Sequence, residues 1–173
     1  MQFVTCNLDS HGARILEIFN EAIAHSTALY EYELRTMGKM KEWFADKQAG
    51  RYPVIGAVDD AGTLLGFATY GVFRARPAYK YSIEHSVYVH RDHRGQGAGR
   101  ALLQKVIEAA REQNYHVLVG GIDADNAASI ALHLELGFVH AGTIAQSGFK
   151  FGRWLDLAFY QLTLDTPAQP VDG

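Results

Sequence analysis

The stretch EHSVYVHRDHRGQGAGRALLQKVIEAA, residues 84–110, is the most informative part of the sequence for the fold. It begins with alternating apolar and polar residues, typical of a β-strand, and ends in an amphipathic helical pattern. Between the two stand Gly95, Gly97 and Gly99, one at every second position. Glycine permits positive φ angles and lets a ligand approach the backbone closely. The run therefore predicts either a plain tight turn or a cradle for an anion at the start of a helix.

Two familiar nucleotide-binding motifs do not fit these glycines. The spacing is Gly-x-Gly-x-Gly rather than Gly-x-Gly-x-x-Gly, and no acidic residue about 20 positions on completes a dinucleotide fingerprint. A phosphate loop of the Gly-Lys-Ser/Thr type is absent as well. The glycines alone leave the turn and the anion cradle equally open.

Outward from this stretch, the chain alternates strand and helix patterns. In residues 8–26, apolar residues recur with helical spacing, and Asp9 or Ser10 is a candidate N-cap. Two β-rich runs flank residues 59–62, which is a good hairpin signal. Further helices are predicted at 37–50, 99–114 and 126–138, and further strands at 3–6, 81–89, 116–122 and 154–164. This alternation predicts an α/β (α+β) fold with a mixed sheet.

Composition bounds the class of protein. The 173 residues suffice for one domain, and a net charge of −3 gives no reason to expect nucleic acid. The single Cys6 excludes an internal disulfide framework and favours a reducing compartment. No leader pattern and no apolar run of membrane-spanning length is found, so we predict a cytoplasmic protein with no membrane partner. The eight histidines show no metal-ligand spacing, so no metal is predicted.

Three blocks of sequence together resemble a known family. Residues 94–99, RGQGAG, resemble the (Arg/Gln)-x-x-Gly-x-(Gly/Ala) signature of the GCN5-related N-acetyltransferase (GNAT) superfamily. Residues 126–138, NAASIALHLELGF, resemble its second motif. Residues 147–164, SGFKFGRWLDLAFYQLTL, and the EHSVYVH that precedes the loop are similar to its phosphinothricin and methionine sulfoximine acetyltransferase branch.

The resemblance covers residues 20–164 and implies a fold and an activity. The fold is a single GNAT domain, residues 1–165, whose mixed, mostly antiparallel central sheet is flanked by helices; residues 166–173 are predicted to form a flexible tail. The implied activity is direct transfer of acetyl from acetyl-CoA to the α-amino group of a small amino-acid analogue in a ternary complex. It further implies a homodimer and a role in herbicide or antimetabolite resistance. Phe151 and Trp154 are candidate interface residues, or core residues.

Two alternative functions stay open. The chain could acetylate another small amine or a protein N-terminus, although an acidic surface suited to polyamines is not evident. It could also be a non-catalytic acetyl-CoA-binding sensor. A candidate base, Glu84, argues against the sensor.

The resemblance assigns residues to the cofactor. In the family, backbone groups of the strand meet the pantetheine arm, and the glycine loop meets the pyrophosphate. The positions carried over are Val87, Tyr88, Val89, Arg94, Gly95, Gln96, Gly97, Ala98, Gly99, Arg100 and Asn126. Arg100 could equally be a solvated helix residue, and Asn126 suits a helix N-cap by its own chemistry.

Two residues are predicted to be catalytic. Glu84 occupies the family's position for the general base, and a half-buried carboxylate beside an apolar cleft would have a raised pKa. The alternative is an ordinary solvent-facing glutamate. His133 stands where most of the superfamily has a tyrosine that protonates the leaving thiolate. A histidine there could donate a proton, contact substrate, or be structural.

The substrate side is expected before and within the Glu84 strand. Arginine binds carboxylate or phosphinate groups bidentately, which suits an amino acid with an anionic head. The positions predicted to contact substrate are Arg74, Ala75, Arg76, Pro77, Glu84, His85 and Ser86. The alternative is an exposed loop with two solvated arginines.

Overall fold

The computed structural model describes residues 1–172, which form seven strands and four α-helices. The strands are β1 (Gln2–Thr5), β2 (Val54–Val58), β3 (Leu64–Val72), β4 (Ser82–Val89), β5 (Val117–Asp123), β6 (Val139–Lys150) and β7 (Arg153–Thr163). The helices are α1 (Leu8–His25), α2 (Met37–Ala49), α3 (Ala98–Glu112) and α4 (Ala127–Glu135). The strand order in the sheet is β1-β2-β3-β4-β5-β7-β6.

Most of this sheet is antiparallel, as predicted. The pairs β1/β2, β2/β3, β5/β7 and β6/β7 are antiparallel, whereas β4 and β5 run parallel, with Glu84 opposite Val119. The fold prediction of a single mixed-sheet domain is thus confirmed. No helix within residues 1–172 is long and apolar enough to cross a membrane.

The chain divides into two compact units, residues 1–71 with 86–106, and residues 72–85 with 107–173. The first unit has a core of aromatic and aliphatic side chains, in which the Phe19 ring packs edge-on against Trp43, Phe67 and Tyr88. The predicted apolar face of α1 lies in the interior of this unit, with Ile15 and Ile18 buried.

The second unit is built on β5 and β7. Leu118 of β5 and Leu155 of β7 are fully buried, as is Ile83 at the start of β4. Strand β5 is buried along most of its length, in keeping with its nearly continuous apolar sequence. In the same unit, the Tyr81 hydroxyl donates to the Val171 carbonyl oxygen at 3.3 Å and accepts from the Val171 N–H at 3.1 Å. The flexibility of residues 166–173 stays a prediction, and Gly173 lies outside the described residues.

Three local predictions need correction. The N-cap of α1 is Asn7, whose Oδ1 accepts from the Ser10 N–H at 2.8 Å, rather than Asp9 or Ser10. Strand β6 was missed, because its mostly exposed residues lack an apolar alternation. Phe151 and Trp154 are each 58% exposed, which excludes the core alternative for both.

Candidate functional site

The glycine loop connects β4 to α3 in the conformation that its glycines permit. Gly95 (φ +74°) and Gly97 (φ +86°) both lie in the left-handed region, and a Cβ on either would meet no atom within 4 Å. The main chain there borders open space. The first hydrogen bond of α3 runs from the Ala101 N–H to the Gly97 carbonyl at 3.1 Å. The preceding N–H groups therefore have no partner within the helix, and they lie at its positive end.

Arg94, predicted to contact phosphate, is engaged within the protein. Its Nη2 lies 2.5 Å from Glu21 Oε2 on α1, and its Nε donates to the Val89 carbonyl at 3.2 Å. His90 is similarly tied to α1, with Nε2 3.2 Å from Glu17 Oε1. In this arrangement Arg94 fastens the loop to α1 and to the end of β4.

Sequence reasoning missed Glu17 and Glu21. Each stands 73 residues before the partner that it holds, so no local pattern links them. The only signal was their presence on the polar side of a predicted amphipathic helix, which is also where solvated glutamates lie.

The backbone of β4 that follows Glu84 is closely approached by β3. A Cβ at Gly66 would lie 2.6 Å from the Tyr88 carbonyl oxygen and 3.0 Å from the Val89 Cα, so only glycine fits opposite these residues.

Asn126 caps α4 as predicted, since its Oδ1 accepts from the Ser129 N–H at 3.1 Å.

Glu84 lies on one face of β4 without a hydrogen bond or ion pair from residues 1–172. The residue keeps solvent exposure, yet neighbouring atoms desolvate its carboxyl enough that burial raises the pKa, and the nearby Arg74 charge opposes this rise. A Cβ at Gly121 of β5 would stand 3.2 Å from Glu84 Oε1. The glycine thus leaves space for the carboxylate. An unpaired carboxyl with a raised pKa has the properties of a general base.

The loop before β4 carries the two predicted arginines. Arg74 and Arg76 are exposed, and neither forms an ion pair with another residue in 1–172. Arg76 precedes a short 3₁₀ turn, Pro77–Tyr79, whose proline fixes the chain direction. Ala75 lies between the arginines and is exposed as well. The charge of Arg74 acts on Glu84, since it lowers the pKa of that carboxyl against the larger effect of burial.

His85 and His133 form a buried pair. Because successive residues of a strand face opposite sides, the His85 side chain leaves β4 on the side away from that of Glu84. Its Nε2 lies 2.9 Å from His133 Nε2 on α4, and His133 Nδ1 lies 2.7 Å from the Ser129 carbonyl oxygen. Both residues are 5% exposed. The Phe138 ring packs against both imidazoles.

The two imidazoles favour the neutral form. Burial lowers the pKa of His85 to about 3, with repulsion from His133 adding to the effect and the Val119 carbonyl partly opposing it. Burial also lowers the pKa of His133, and the Ser129 carbonyl partly opposes that shift. The structure therefore brings Glu84 together with Arg74 and Gly121, and places the His85 ring elsewhere, with His133.

The chain matches one family model, described as the Acetyltransferase (GNAT) family, over residues 14–138. A match over more than half of the chain, together with the fold and the glycine loop, shows that this protein belongs to the GNAT family. It is an N-acetyltransferase.

Individual relatives agree with this assignment. An L-methionine sulfoximine/L-methionine sulfone acetyltransferase from Pseudomonas aeruginosa is 46% identical over 151 residues, 87% of this chain and 88% of the relative. A solved structure from Acinetobacter baylyi is 58% identical, with a TM-score of 0.98 over 99% of this chain and 96% of that one. A phosphinothricin acetyltransferase from Sinorhizobium meliloti, solved in complex with acetyl-CoA, is 32% identical, with a TM-score of 0.93 over 99% and 94%.

Proposed function

We propose that this protein transfers acetyl from acetyl-CoA to the α-amino group of a small amino-acid analogue of the methionine sulfone, methionine sulfoximine or phosphinothricin type. The observation that carries the proposal concerns the residues expected to bind the acetyl acceptor. Glu84 has a raised pKa and no partner among residues 1–172, and the charge of Arg74 acts on its carboxyl. A cation that is otherwise unpaired suits an anionic head group, and a base suits an amine that must lose a proton.

The cofactor would be held by the glycine loop and the start of α3. Open space beside the positive-φ residues Gly95 and Gly97 fits a pyrophosphate, because main-chain N–H groups can approach it without an intervening side chain. Acetyl-CoA supplies an activated thioester when bound. Val87, Tyr88 and Val89 offer backbone groups to its arm, and the amide of Asn126 and the side chains of Gln96 and Arg100 are further candidate contacts.

The residues near Glu84 then have separate roles in the reaction. Glu84 takes a proton from the ammonium group, so that the amine becomes nucleophilic. A free α-amino group has a pKa of about 7.7–8.0, so a carboxylate with a raised pKa is an adequate base near neutrality. Arg74 and Arg76 orient the substrate through its anionic groups, with Ala75, Pro77 and Ser86 shaping the surroundings.

Direct transfer is favoured over an acetylated protein intermediate. Cys6 is the only cysteine, and burial raises the pKa of its thiol to about 12, so it is a poor nucleophile. Initial rates measured at several concentrations of both substrates should therefore give intersecting lines in double-reciprocal plots. Parallel lines, the pattern of a ping-pong mechanism, would contradict direct transfer.

A substrate panel tests the proposal as a whole. Release of CoA is measured with methionine sulfone, methionine sulfoximine and phosphinothricin, beside a polyamine and a peptide with a free N-terminus. We expect the three amino acids, each of which carries an α-carboxylate, to give the highest kcat/KM. A higher value for the polyamine or the peptide would overturn the substrate class, and acetyl-CoA binding without turnover of any amine would support a sensor.

The same proposal includes a homodimer in the cytoplasm, with a role in resistance to such antimetabolites. Strands β6 and β7 and the turn between them expose large apolar side chains, among them Ile144, Phe151 and Trp154. A second copy of the chain is the occupant that we propose for this surface. Trp154→Arg should lower the mass measured by light scattering, whereas Val72→Arg, at an equally exposed position, should not. An unchanged mass in both variants, or a monomeric parent, would refute this interface.

A further inference from the structure

The His85–His133 pair can be assigned its protons from its neighbours. The Ser129 carbonyl oxygen can only accept, so His133 Nδ1, 2.7 Å away, carries a hydrogen. In a neutral His133 the other nitrogen, Nε2, is then bare and accepts from His85 Nε2–H at 2.9 Å. The reverse assignment would place a bare Nδ1 lone pair 2.7 Å from the Ser129 oxygen, which is repulsive.

This assignment leaves one acceptor without a partner. His85 Nδ1 is fully buried and has no partner at hydrogen-bond geometry among residues 1–172, although the Val119 carbonyl lies close enough to the ring to oppose the lowering of its pKa. A third hydrogen on the pair would occupy that nitrogen but would give the pair a net charge. Phe138 covers both rings, no carboxylate among residues 1–172 forms an ion pair with either ring, and the low local dielectric penalises a charge. The neutral pair is the stable form.

The surroundings are shaped for this pair. A Cβ at Gly120 of β5 would lie 3.0 Å from His85 Cε1 and 3.2 Å from each Nε2. Gly121, the next residue, clears the Glu84 carboxylate on the other face of the strand. Two consecutive glycines of β5 thus make room for two different side-chain groups, and each is matched to one residue of β4.

We propose that His85 is a positioning residue, which locks His133 as a neutral imidazole with no hydrogen on Nε2, so that the pair fastens α4 to β4 and does not act as the general acid. The role of this pair in catalysis rests on the proposed acetyl transfer. The leaving thiolate then takes its proton from the attacking amine or from solvent. A thiol pKa of about 8.5 makes thiolate a tolerable leaving group without a strong acid.

Nuclear magnetic resonance tests the proton assignment in the ligand-free protein, independently of any activity. Long-range ¹H–¹⁵N spectra of protein labelled at histidine distinguish protonated from bare ring nitrogens. We expect hydrogens on His133 Nδ1 and His85 Nε2 only, unchanged from about pH 6 to 8. A hydrogen on His133 Nε2, or a titration of either ring in that range, would overturn the proposal. His25→Gln, on the exposed end of α1, should leave both sets of signals unchanged.

Variants test the positioning role through kcat. Glutamine at position 85 keeps an N–H donor but cannot titrate, whereas leucine leaves His133 Nε2 buried without a partner. We expect His85→Leu to lower kcat about tenfold or more, and His85→Gln to retain about five times the kcat of the leucine variant. Equal losses in both variants would mean that the donated hydrogen bond does not matter. Should His85→Leu fail to fold, the spectra of the parent protein still decide.

A second pair of variants separates the two faces of β5. Gly120→Ala should perturb the ring signals of His85 and His133, because the added Cβ presses on both Nε2 atoms. Gly121→Ala, the same change one residue later, should leave those signals in place. Identical effects on the ring signals would show that the pair responds to strain in the strand as a whole, against the proposal.

Discussion

The glycine loop, residues 94–99, and the segment proposed to bind the acetyl acceptor, residues 74–84 (the acceptor segment), offer different kinds of chemical group to a ligand. The loop offers main-chain N–H groups, whereas the side chain of its Arg94 already forms an ion pair with Glu21. The acceptor segment offers side chains, and Arg74, Arg76 and Glu84 have no ion-pair partners among residues 1–172. A main-chain site tolerates many side chains but needs particular φ angles, whereas a side-chain site depends on a few chemical groups. Substitutions should therefore affect the two regions in different kinetic parameters.

The largest expected effect comes from Glu84→Gln, which keeps size and hydrogen bonding but cannot accept a proton. If Glu84 is the base, kcat near neutral pH should fall by roughly 10²- to 10⁴-fold. Part of the loss should be recovered at high pH, where free amine is abundant, and acetyl-CoA affinity should persist. A variant within threefold of the parent at pH 7 would make Glu84 a bystander, and an equal loss at every pH would make it a positioning residue.

The double variant Arg74→Ala/Arg76→Ala tests the other half of the acceptor segment. Losing charge-assisted hydrogen bonds worth about 1.5–3 kcal/mol should raise the KM for methionine sulfoximine about 10- to 150-fold. The KM for acetyl-CoA should stay unchanged. Lys80→Ala removes one positive charge from the same exposed segment and serves as the control. If the double variant and the control behave alike, the arginines belong to a solvated loop.

Gly97→Val should have the opposite kinetic signature. The new side chain would strain a residue at φ +86° and occupy the open space beside the loop. We expect the KM for acetyl-CoA to rise at least about tenfold, which is 1.4 kcal/mol, with the KM for the amino acid unchanged. Gly62 has nearly the same geometry, with φ +82° and no atom within 4 Å of its Cβ. Gly62→Val therefore controls for backbone strain. An equal rise in the KM for acetyl-CoA in this variant would show that strain, rather than a lost contact with the pyrophosphate, explains the effect of Gly97→Val.

The smallest effect concerns the pH dependence of kcat/KM. The base is active when deprotonated, so activity rises as pH passes the pKa of Glu84, and burial places that pKa above its ordinary value. Arg74 lowers the pKa of this carboxyl, so Arg74→Ala should move the acid limb to higher pH. Arg76→Ala should leave the limb in place. If the acid limb moves equally in both variants, or in neither, the charge of Arg74 does not set the pKa of the base.

Much of the local backbone around the glycine loop could be predicted from the sequence because its determinants are local. Gly95 and Gly97 stand next to the helix that they introduce, and both have the positive φ angles that their glycines permit. Asn126 is followed by the helix that it caps, and residues 59–62 form the predicted hairpin turn between β2 and β3. In each case the cause and its consequence lie within a few residues, so short-range chemistry was sufficient.

The amino-acid sequence alone was enough to predict the family, the glycine loop, most helices and strands, and Glu84 as the candidate base. The folded structure was needed to show that Arg94 is held by Glu21, that His85 pairs with His133, and that Gly121 clears space for Glu84. These partners are 73, 48 and 37 residues apart, respectively. The assembly of strands and helices brings such residues together, and hydrogen bonding and burial then decide the charge state of each. No local pattern encodes either step.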